Sequence, residues 1–369
     1  MKQGWEIKTV GAICDIKTGR LDANAASENG AYPFFTCSQA PLRIDNYAYD
    51  CECVLVAGNG ELNAKYYNGK FNAYQRTYII TTKSEYKNIS VKYLYKFFSK
   101  YIEQLRQLSI GGVIKYIKLG NLTDATLPIP PREEQERIVE ELDCLSGIIE
   151  RKREQLKELD ALAQSIFYQM FGDPITNEKG WEVKCLRDIS TIGTGATPSR
   201  EKEELYYGGE IHWVKTTEVQ NCDIHSTEET ITQLAVEQTN CKVYPQNTLL
   251  MAMYGQGKTR GQIARLKISA ATNQACAAIM LDEARCILDF IYELLLIKYE
   301  SIRAMAKGGN QANLNLKIVG SIPIILPPLA LQQEFTDKIE AIEKQKELIK
   351  KSISETETLF NARMDYYFN

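Results

Sequence analysis

The stretch PPREEQERIVEELDCLSGIIERKREQLKELDALAQSIFYQMF, residues 130–171, decides how the rest of the chain is organised. Two prolines begin it, glutamates occupy its first turn, and Gly172 and Pro174 follow it, which predicts one uninterrupted helix. Apolar side chains recur in it at alternating spacings of four and three, which is typical of a coiled-coil seam. At about 1.5 Å per residue the helix would be roughly 55–60 Å long. We therefore expect it to project from one globular domain or to connect two.

The same element occurs again 197 positions later, without a gap. Pro130 falls on Pro327 and Gln135 falls on Gln332, and the second copy keeps the length and the apolar seam of the first. Self-similarity at a fixed period predicts a duplicated architecture. The predicted seam residues are Ile138, Leu142, Leu145, Ile149, Leu156 and Leu159 in the first helix and Phe335, Ile339, Ile342, Ile349 and Ile353 in the second.

The repeat extends into the segments that precede the two helices. Residues 4–8, GWEIK, match residues 180–184, GWEVK, at an offset of 176. A predicted amphipathic helix at 91–108 matches 288–305 at an offset of 197, and a double glycine follows each copy. Short strands and turns are predicted between these elements, where the second copy is 21 residues longer. Because the segments between the repeated elements differ in length and sequence, we expect the two copies to present two different binding surfaces. The alternative is a duplicated domain whose loops diverged without acquiring a function.

These patterns predict an α+β protein with an internal pseudo-two-fold repeat. Two domains of mixed strands and helices would be separated by two long antiparallel coiled-coil helices. The predicted boundaries are 1–130 for the first domain, 131–172 for the central spacer helix, 173–328 for the second domain and 329–369 for the C-terminal spacer helix.

The composition is typical of a soluble globular protein, with 44% hydrophobic and 25% charged residues. The ten cysteines form no CxxC pair, and with two histidines in the chain they make no zinc pattern, so we expect no metal site. Scattered cysteines of this kind are typical of reduced thiols in a cytosolic protein. The first residues lack the apolar core of a signal peptide and no apolar run reaches membrane length, so we expect a cytoplasmic location and no membrane partner.

Charges are distributed unevenly, although the net charge is only −3. Residues 1–130 hold 16 basic and 11 acidic side chains, whereas 131–172 hold 6 and 10 and 329–369 hold 6 and 8. If DNA is a partner, the globular domains face it and the acidic helices face something else. The second domain adds little support, because it holds 16 basic and 18 acidic side chains.

Basic, amide and aromatic residues gather between the predicted strands of both domains. Lysine and arginine can bind phosphates, and arginine, asparagine and glutamine can bind base edges. Each residue alone is more often a solvated loop residue, so the support comes from both domains placing such loops in the same topological position. The candidate DNA-binding residues are Lys65, Tyr66, Lys70, Gln75 and Arg76 in the first domain and Thr197, Ser199, Arg200, Lys215, Gln256, Lys258, Arg260, Asn273 and Gln274 in the second.

The sequence contains no convincing catalytic constellation. Residues 257–259, GKT, suggest a phosphate-binding loop, but Ala252 stands where that motif needs glycine, and the alternation at 262–266 favours a strand rather than a helix. His212 and His225 have no obvious cysteine or serine nucleophile as a partner. We therefore expect a chain that recognises a ligand rather than one that catalyses a reaction or holds a cofactor.

In the order of its motifs and its two-fold repeat, the chain resembles the specificity subunit of type I restriction–modification systems. The resemblance rests on the GWE-(I/V)-K openings, the turn at 195–199, the stretch LPIPPREEQ at 127–135 and the stretch MFGDP at 170–174. It implies that each domain is a target recognition domain for one half of a bipartite, asymmetric DNA site. The first domain departs from the pattern, because residues 19–22 are GRLD where residues 195–198 are GATP.

The resemblance also implies partners and cofactors. Two methyltransferase subunits would dock on the helices and bind S-adenosylmethionine, and motor-nuclease subunits, which use ATP and magnesium, would join for cleavage. The chain itself would then be a non-catalytic subunit.

The helices would set the distance between half-sites, about one helical turn or 34 Å apart on the DNA. Lys152 and Lys346 interrupt the seams near their centres, where an antiparallel pair would bring them close and could fix the register, or where they could simply extend to the seam edge. The alternatives are a self-sufficient enzyme, a specificity chain whose partner fuses methylation and cleavage, and a coiled-coil adaptor that does not bind DNA.

Overall fold

The computed structural model describes residues 4–255, 257–306 and 313–369. The second double glycine, at 308–309, lies outside these ranges. The helices are α1 (Val10–Ile13), α2 (Val91–Leu108), α3 (Leu119–Thr123), α4 (Arg132–Phe171), α5 (Glu203–Tyr206), α6 (Gln233–Gln238), α7 (Leu288–Ile297), α8 (Tyr299–Ala304), α9 (Leu316–Gly320) and α10 (Leu329–Phe368).

The strands have between two and ten residues. They are β1 (Glu6–Thr9), β2 (Cys14–Thr18), β3 (Tyr32–Phe35), β4 (Leu42–Ile44), β5 (Tyr49–Ala57), β6 (Ala64–Ala73), β7 (Thr77–Thr82), β8 (Thr126–Ile129), β9 (Glu182–Cys185), β10 (Ser190–Thr194), β11 (Tyr207–Val214), β12 (Cys222–Ile224), β13 (Glu229–Ile231), β14 (Val243–Tyr244), β15 (Leu249–Ala252), β16 (Ile263–Leu266), β17 (Ala270–Thr272), β18 (Cys276–Leu281) and β19 (Pro323–Leu326).

The chain forms two compact units, and each contains a part of both long helices. Unit 1 extends to Gln155 and also includes Ile349–Asn369, whereas unit 2 is Leu156–Leu348. The helices α4 and α10 have 40 residues each, so the two long helices are confirmed. The boundary between the units thus falls inside both long helices, and the helices do not form a unit of their own. The four predicted domains stay a prediction.

In unit 1 the first part of α4 runs antiparallel to the last part of α10. Arg153 forms an ion pair with Glu357 at 2.6 Å. Glu141, which is nearer the start of α4, accepts a hydrogen bond of 2.7 Å from Tyr367, which is nearer the end of α10. Advancing along one helix therefore means going back along the other. Of the predicted seam residues in this unit, Ile138, Leu142 and Ile149 are buried, and Leu145, Ile349 and Ile353 are half-buried.

In unit 2 the last part of α4 pairs in the same antiparallel sense with the first part of α10. The ring centroids of Phe167 and Phe335 lie 5.5 Å apart, and Asp160 forms an ion pair with Lys346 at 2.6 Å. Phe335, Ile339 and Ile342 of the predicted seam are buried, and Leu156 and Leu159 are half-buried.

The two lysines that interrupt the seams each have their own partner on the opposing helix. Within unit 1, Lys152 donates a hydrogen bond of 2.5 Å to Ser352. Within unit 2, Lys346 binds Asp160 and Glu343, both at 2.6 Å. Burial lowers the pKa of Lys346, but these hydrogen bonds outweigh burial and raise the pKa above its ordinary value. Each lysine thus has a hydroxyl or carboxylate partner within its own unit, and a role of the two lysines in fixing the register stays a prediction.

Unit 1 is built on a six-stranded sheet in the order β2-β7-β5-β6-β3-β4. Strand β5 lies inside this sheet, which is why its last five residues are all buried. Val54 and Val56 face a cluster that includes side chains of α2, whereas Cys53 and Leu55 face an aromatic cluster on the opposite side. The two faces of one strand therefore build two separate cores, because successive side chains point to opposite sides of a sheet.

Unit 2 contains a five-stranded sheet in the order β10-β18-β15-β16-β12 and a four-stranded sheet in the order β13-β11-β17-β14. The antiparallel order β10-β18-β15-β16 repeats the order β2-β7-β5-β6 of unit 1. The single strand β6 of unit 1 corresponds to two strands of unit 2, β16 and β17. The six-stranded sheet of unit 1 therefore corresponds to two separate sheets in unit 2. The longer middle of the second copy adds α5, α6 and further short strands between β10 and β15.

A buried glutamine joins the beginning of each long helix to its globular unit. Gln135 accepts a hydrogen bond of 2.8 Å from the backbone of Ser90 and donates one of 2.9 Å to Pro130. Gln332 makes the same pair of contacts, with Ile287 at 2.9 Å and Pro327 at 2.8 Å. Every partner is displaced by 197 positions, so the sequence repeat is a repeat of individual hydrogen bonds.

Candidate nucleic-acid interface

In unit 1 three loops lie at one end of the main sheet, and we call them loop cluster 1. They are residues 19–22 after β2, residues 58–63 between β5 and β6, and residues 74–76 before β7. The pairing register places the adjoining strand ends at the same edge, since the pairs there are Thr18 with Tyr78, Ala57 with Thr77, and Val56 with Ala64.

In unit 2 the corresponding loops form loop cluster 2. They are residues 195–200 after β10, the described parts of 253–262 between β15 and β16, and residues 273–275 before β18. The strand ends again coincide, with the pairs Thr194 and Ala277, Ala252 and Cys276, and Met251 and Ile263. The prediction that both domains present loops in the same topological position is confirmed.

In both clusters a glutamine side chain is hydrogen-bonded to the first loop, as the donor in one cluster and as the acceptor in the other. In loop cluster 1, Gln75 donates to the carboxylate of Asp22 at 3.0 Å. In loop cluster 2, Thr197 donates to the side-chain oxygen of Gln274 at 2.6 Å. Both glutamines come from the turn before the next strand, and both partners come from the loop after the first strand. Two of the predicted DNA-binding residues of unit 2 are therefore in direct contact.

A glycine starts the first loop of each cluster for a steric reason. A Cβ on Gly19 would overlap the carbonyl group of Ala73, and a Cβ on Gly195 would overlap the carbonyl oxygen of Thr272. The backbone can pass this close to a neighbouring chain segment only without a side chain. The repeated Thr-Gly pair thus marks the place where the first loop crosses the sheet end.

Three of the five predicted residues of unit 1 belong to loop cluster 1 or lie next to it. Gln75 and Arg76 are exposed in the turn before β7, and the carbonyl of Arg76 accepts a hydrogen bond of 2.7 Å from Gly58. Lys65 is the second residue of β6, half-buried, and donates a hydrogen bond to Asn63 of the loop. Burial lowers the pKa of Lys65, because the charged ammonium is less stable away from water.

Tyr66 and Lys70 were expected on a turn, but both lie within β6, a strand of ten residues. Tyr66 points to the α2 side, donates a hydrogen bond of 2.8 Å to Glu52, and has a pKa raised to about 12 by burial. Lys70 lies five residues beyond Lys65, about 16 Å along the strand, and its Nζ is 4.7 Å from the ring centroid of Tyr47. The expectation that they join the loop cluster is wrong, because the segment around them pairs with β5 as one continuous strand instead of turning.

In unit 2, Asn273 is held inside loop cluster 2. Its side-chain oxygen accepts hydrogen bonds from Thr216 at 2.9 Å and from the backbone of Ala275 at 3.2 Å. Ser199 accepts a hydrogen bond of 3.3 Å from Glu201 and caps a short 3-10 turn. Lys258 and Arg260 lie in the loop between β15 and β16, and Gln256 lies outside the described residues.

Two predicted phosphate-binding cations of unit 2 are already paired with carboxylates. Arg200 binds Glu229 at 2.5 Å and Glu203 at 2.8 Å, and Lys215 binds Glu228 at 2.5 Å and Glu229 at 3.1 Å. Hydrogen bonds to these glutamates raise the pKa of Arg200 and of Lys215. Three carboxylates surround two cations, so this group presents no excess of positive charge, and its role toward DNA stays a prediction.

An arginine from the surface helix holds the central loop of each cluster, and sequence analysis missed it. Arg106 of α2 donates to the carbonyl of Leu62 at 3.4 Å. Arg303 of α8 donates to the carbonyls of Gly257 at 2.8 Å and Arg260 at 3.2 Å. The two arginines are again 197 positions apart, so the repeat itself was the signal that could have found them.

The described residues contain no group of three or more histidine, cysteine, aspartate or glutamate side chains placed to hold a metal ion. His212 is a residue of the partly buried strand β11, and its ring contacts Thr227 at 3.1 Å. In the parts of the chain that the structure describes, no helix is both long enough and apolar enough to cross a membrane.

Comparison with known proteins points to one family. The family model described as "Type I restriction modification DNA specificity domain" matches residues 2–160 and 178–358. The type I restriction enzyme EcoDI specificity subunit of Escherichia coli is 39% identical over 155 residues, which is 42% of this chain and 34% of that protein. The type I restriction enzyme MjaIX specificity subunit of Methanocaldococcus jannaschii is 26% identical over 289 residues, 71% of this chain and 66% of that protein. These alignments thus span about a third and about two thirds of the relatives' lengths.

Among solved structures, the type I restriction–modification system S subunit from M. genitalium aligns with a TM-score of 0.63 and 15% sequence identity, over 100% of this chain and 98% of that chain. At this identity the likeness shows the fold. Because the family model matches most of the chain, once in each half, the chain belongs to the type I restriction–modification DNA specificity domain family.

Proposed function

We propose that the chain is the DNA-recognition subunit of a type I restriction–modification complex. Loop cluster 1 would bind one half of a bipartite, asymmetric DNA site, and loop cluster 2 would bind the other half. The observation that carries this proposal is that a glutamine at the same place in both clusters is hydrogen-bonded to the first loop, Gln75 to Asp22 and Gln274 to Thr197. One scaffold with two different sets of loop side chains suits two half-sites of different sequence.

The long helices would contribute spacing and docking. Their seam is buried or half-buried, whereas their outer faces carry an excess of acidic side chains, which DNA would repel. We therefore assign those faces to protein partners, namely two methyltransferase subunits. S-adenosylmethionine would be bound by these subunits, and ATP and magnesium by motor-nuclease subunits of the complex. The chain itself would carry out no chemical step.

The decisive experiment is methylation-sensitive sequencing of DNA from cells that express the chain together with the methyltransferase encoded beside it. We expect one bipartite methylated sequence, with two specific parts and an unspecific gap of fixed length. Omitting the chain should abolish methylation, and exchanging residues 195–275 for those of a relative should change one part only. Methylation that does not depend on the chain would refute the proposal, as would the absence of a footprint from the assembled complex on DNA.

A further inference from the structure

The segment between α2 and α3 of unit 1 is a small hairpin with an apolar tip, and we call residues 110–116 the apolar hairpin. Ile110 and Tyr116 exchange two backbone hydrogen bonds, of 3.0 and 2.9 Å, which close it. Gly111 has a φ of +118°, which a residue with a side chain rarely adopts. At the tip, Val113 is 103% exposed and Ile114 is 63% exposed. Val113 thus lies entirely in solvent, and Ile114 lies mostly in solvent.

The apolar hairpin is joined directly to loop cluster 1. The backbone of Gly60 donates to Lys115 at 2.9 Å, and Ile117, which follows the hairpin, donates to Gly58 at 2.9 Å. Asn59 and Tyr116 also form a β-bridge. Residues 58–63 are the central loop of the cluster, so the hairpin continues the same end of the sheet outward. The tip and the loop cluster can therefore contact one extended ligand together.

The charges around the tip favour an anionic ligand. Lys115 and Lys118 are exposed beside the apolar residues, and residues 108–119 contain no aspartate or glutamate. Duplex DNA offers the matching chemistry, because lysines can bind its phosphates while branched apolar side chains contact thymine methyl groups or wedge between base steps. Exposing such side chains to water is unfavourable at about 25 cal/mol per Å² of apolar surface, and a groove would cover them.

We propose that the apolar hairpin enters a groove of the DNA and contacts base edges through Val113 and Ile114. This inference rests on the proposed function and adds to it a binding element beyond the polar loop residues. Lys115 contacts phosphate in the same complex. The contact belongs to unit 1, so it affects the half-site recognised by that unit and not the other.

The test is a double substitution, Val113→Ser with Ile114→Ser, in the full chain assembled with its methyltransferase subunits. The probes are a duplex that carries the sequence found by methylation-sensitive sequencing, and duplexes with either half-site scrambled. We expect the variant to bind the intact site about tenfold more weakly, with the discrimination lost at one half-site only. The dependence of affinity on salt should not change, because apolar contacts release no counterions. Lys115→Ala should instead lower the salt slope by about one.

Ile175→Ser is the matched control, because Ile175 is a branched apolar residue of unit 2 that is 62% exposed in the segment after α4 and is not a residue of either loop cluster. It should bind like the unchanged protein. A melting curve checks that each variant is folded, and full exposure of the tip makes unfolding by the substitutions unexpected.

Two results would overturn the inference. In one, the double variant binds the intact site as tightly as the control. In the other, it loses its methyltransferase subunits, which would make the tip a protein-docking surface. If the unchanged complex fails to bind DNA at all, the proposed function fails with it, and that result is distinct because it does not involve the variants.

Discussion

At the scale of single residues, Gly195 decides whether the first loop of unit 2 can cross the end of the sheet. A Cβ there would overlap the carbonyl oxygen of Thr272, which is backbone and cannot swing away. We expect Gly195→Ala to destabilise the protein by at least about 2 kcal/mol, as overpacked positions do. It should also weaken DNA binding, because Thr197 would lose its position against Gln274.

Gly147→Ala is the control for this prediction. A Cβ on Gly147 would meet only the guanidinium of Arg151 at 3.8 Å, and the residue lies inside α4. Alanine is favoured over glycine in a helix by about 0.5–1 kcal/mol, so this variant should melt at the same or a higher temperature. Equal melting temperatures for both variants would show that the close approach at Gly195 is not required.

Arg303 is a positioning residue for the loop between β15 and β16. It donates to the carbonyls of Gly257 and Arg260, and a lysine cannot reproduce this planar fork. We expect Arg303→Lys to weaken binding at the second half-site roughly fivefold, the cost of about one hydrogen bond. Hydrogen exchange of residues 257–262 should become faster at the same time.

The control for Arg303 is Arg187→Lys, because the Arg187 side chain is 58% exposed and its nearest carboxylate lies at 3.9 Å. This variant should change neither exchange nor binding. Weaker binding of Arg303→Lys without faster exchange would mean that the arginine contacts DNA itself and does not act through the loop.

At the scale of elements, the packing of α7 against its neighbours makes unit 2 sensitive to pH. Burial raises the pKa of Glu293 to about 7, and the surrounding charges are Arg265, Glu343, Lys346 and Asp289. Between about pH 4.5 and pH 7, Glu293 is therefore protonated in the folded protein and ionised in the unfolded chain. The contribution of this group to stability is unfavourable above pH 7 and disappears as the pH falls below 4.5.

Glu293→Gln should accordingly stabilise unit 2 by about 1–3 kcal/mol at pH 8 and leave its stability unchanged near pH 4.5. The measurement is the melting temperature of both proteins across this pH range. Glu300→Gln is the control, since Glu300 is exposed on the neighbouring helix α8. A gain that is the same at every pH would exclude titration of Glu293 as its cause.

The elements also show how far sequence reasoning extends. The long helices and the helix at 91–108 were predictable because hydrophobic periodicity and helix caps are local properties. The repeat was predictable because the two copies can be aligned from the sequence alone. The placement of Tyr66 and Lys70 was not, because a strand of ten residues depends on its neighbours β5 and β3. The pairing of Arg200 and Lys215 with Glu229 was equally hidden, since those partners are distant along the chain and meet only in the folded sheet.

At the scale of the whole molecule, the proposed spacing role predicts the effect of matched deletions in the two helices. Residues 146–152 of α4 face residues 353–359 of α10 within unit 1, and removing both sets keeps the heptad register and the antiparallel pairing. Seven residues correspond to about 10 Å of helix. We expect the gap in the methylated sequence to shorten by about three base pairs, with the two specific parts unchanged.

Deleting only one of the two segments is the control, because it shifts the apolar seam of one helix against that of the other. This variant should methylate DNA less, without producing a methylated sequence that has a new gap length. An unchanged gap after the matched deletion would contradict the idea that helix length sets the spacing.

The division of the chain into units has a consequence for synthesis on the ribosome. Unit 2 is a continuous segment, whereas unit 1 needs Ile349–Asn369 in addition to its first part. Tyr93 and Phe97 pack against Phe368, at ring-centroid distances of 5.2 and 6.1 Å, so the core of unit 1 stays incomplete until that helix end has emerged. Unit 1, although translated first, would therefore be the last to finish folding, with its apolar surface exposed meanwhile to chaperones and to aggregation.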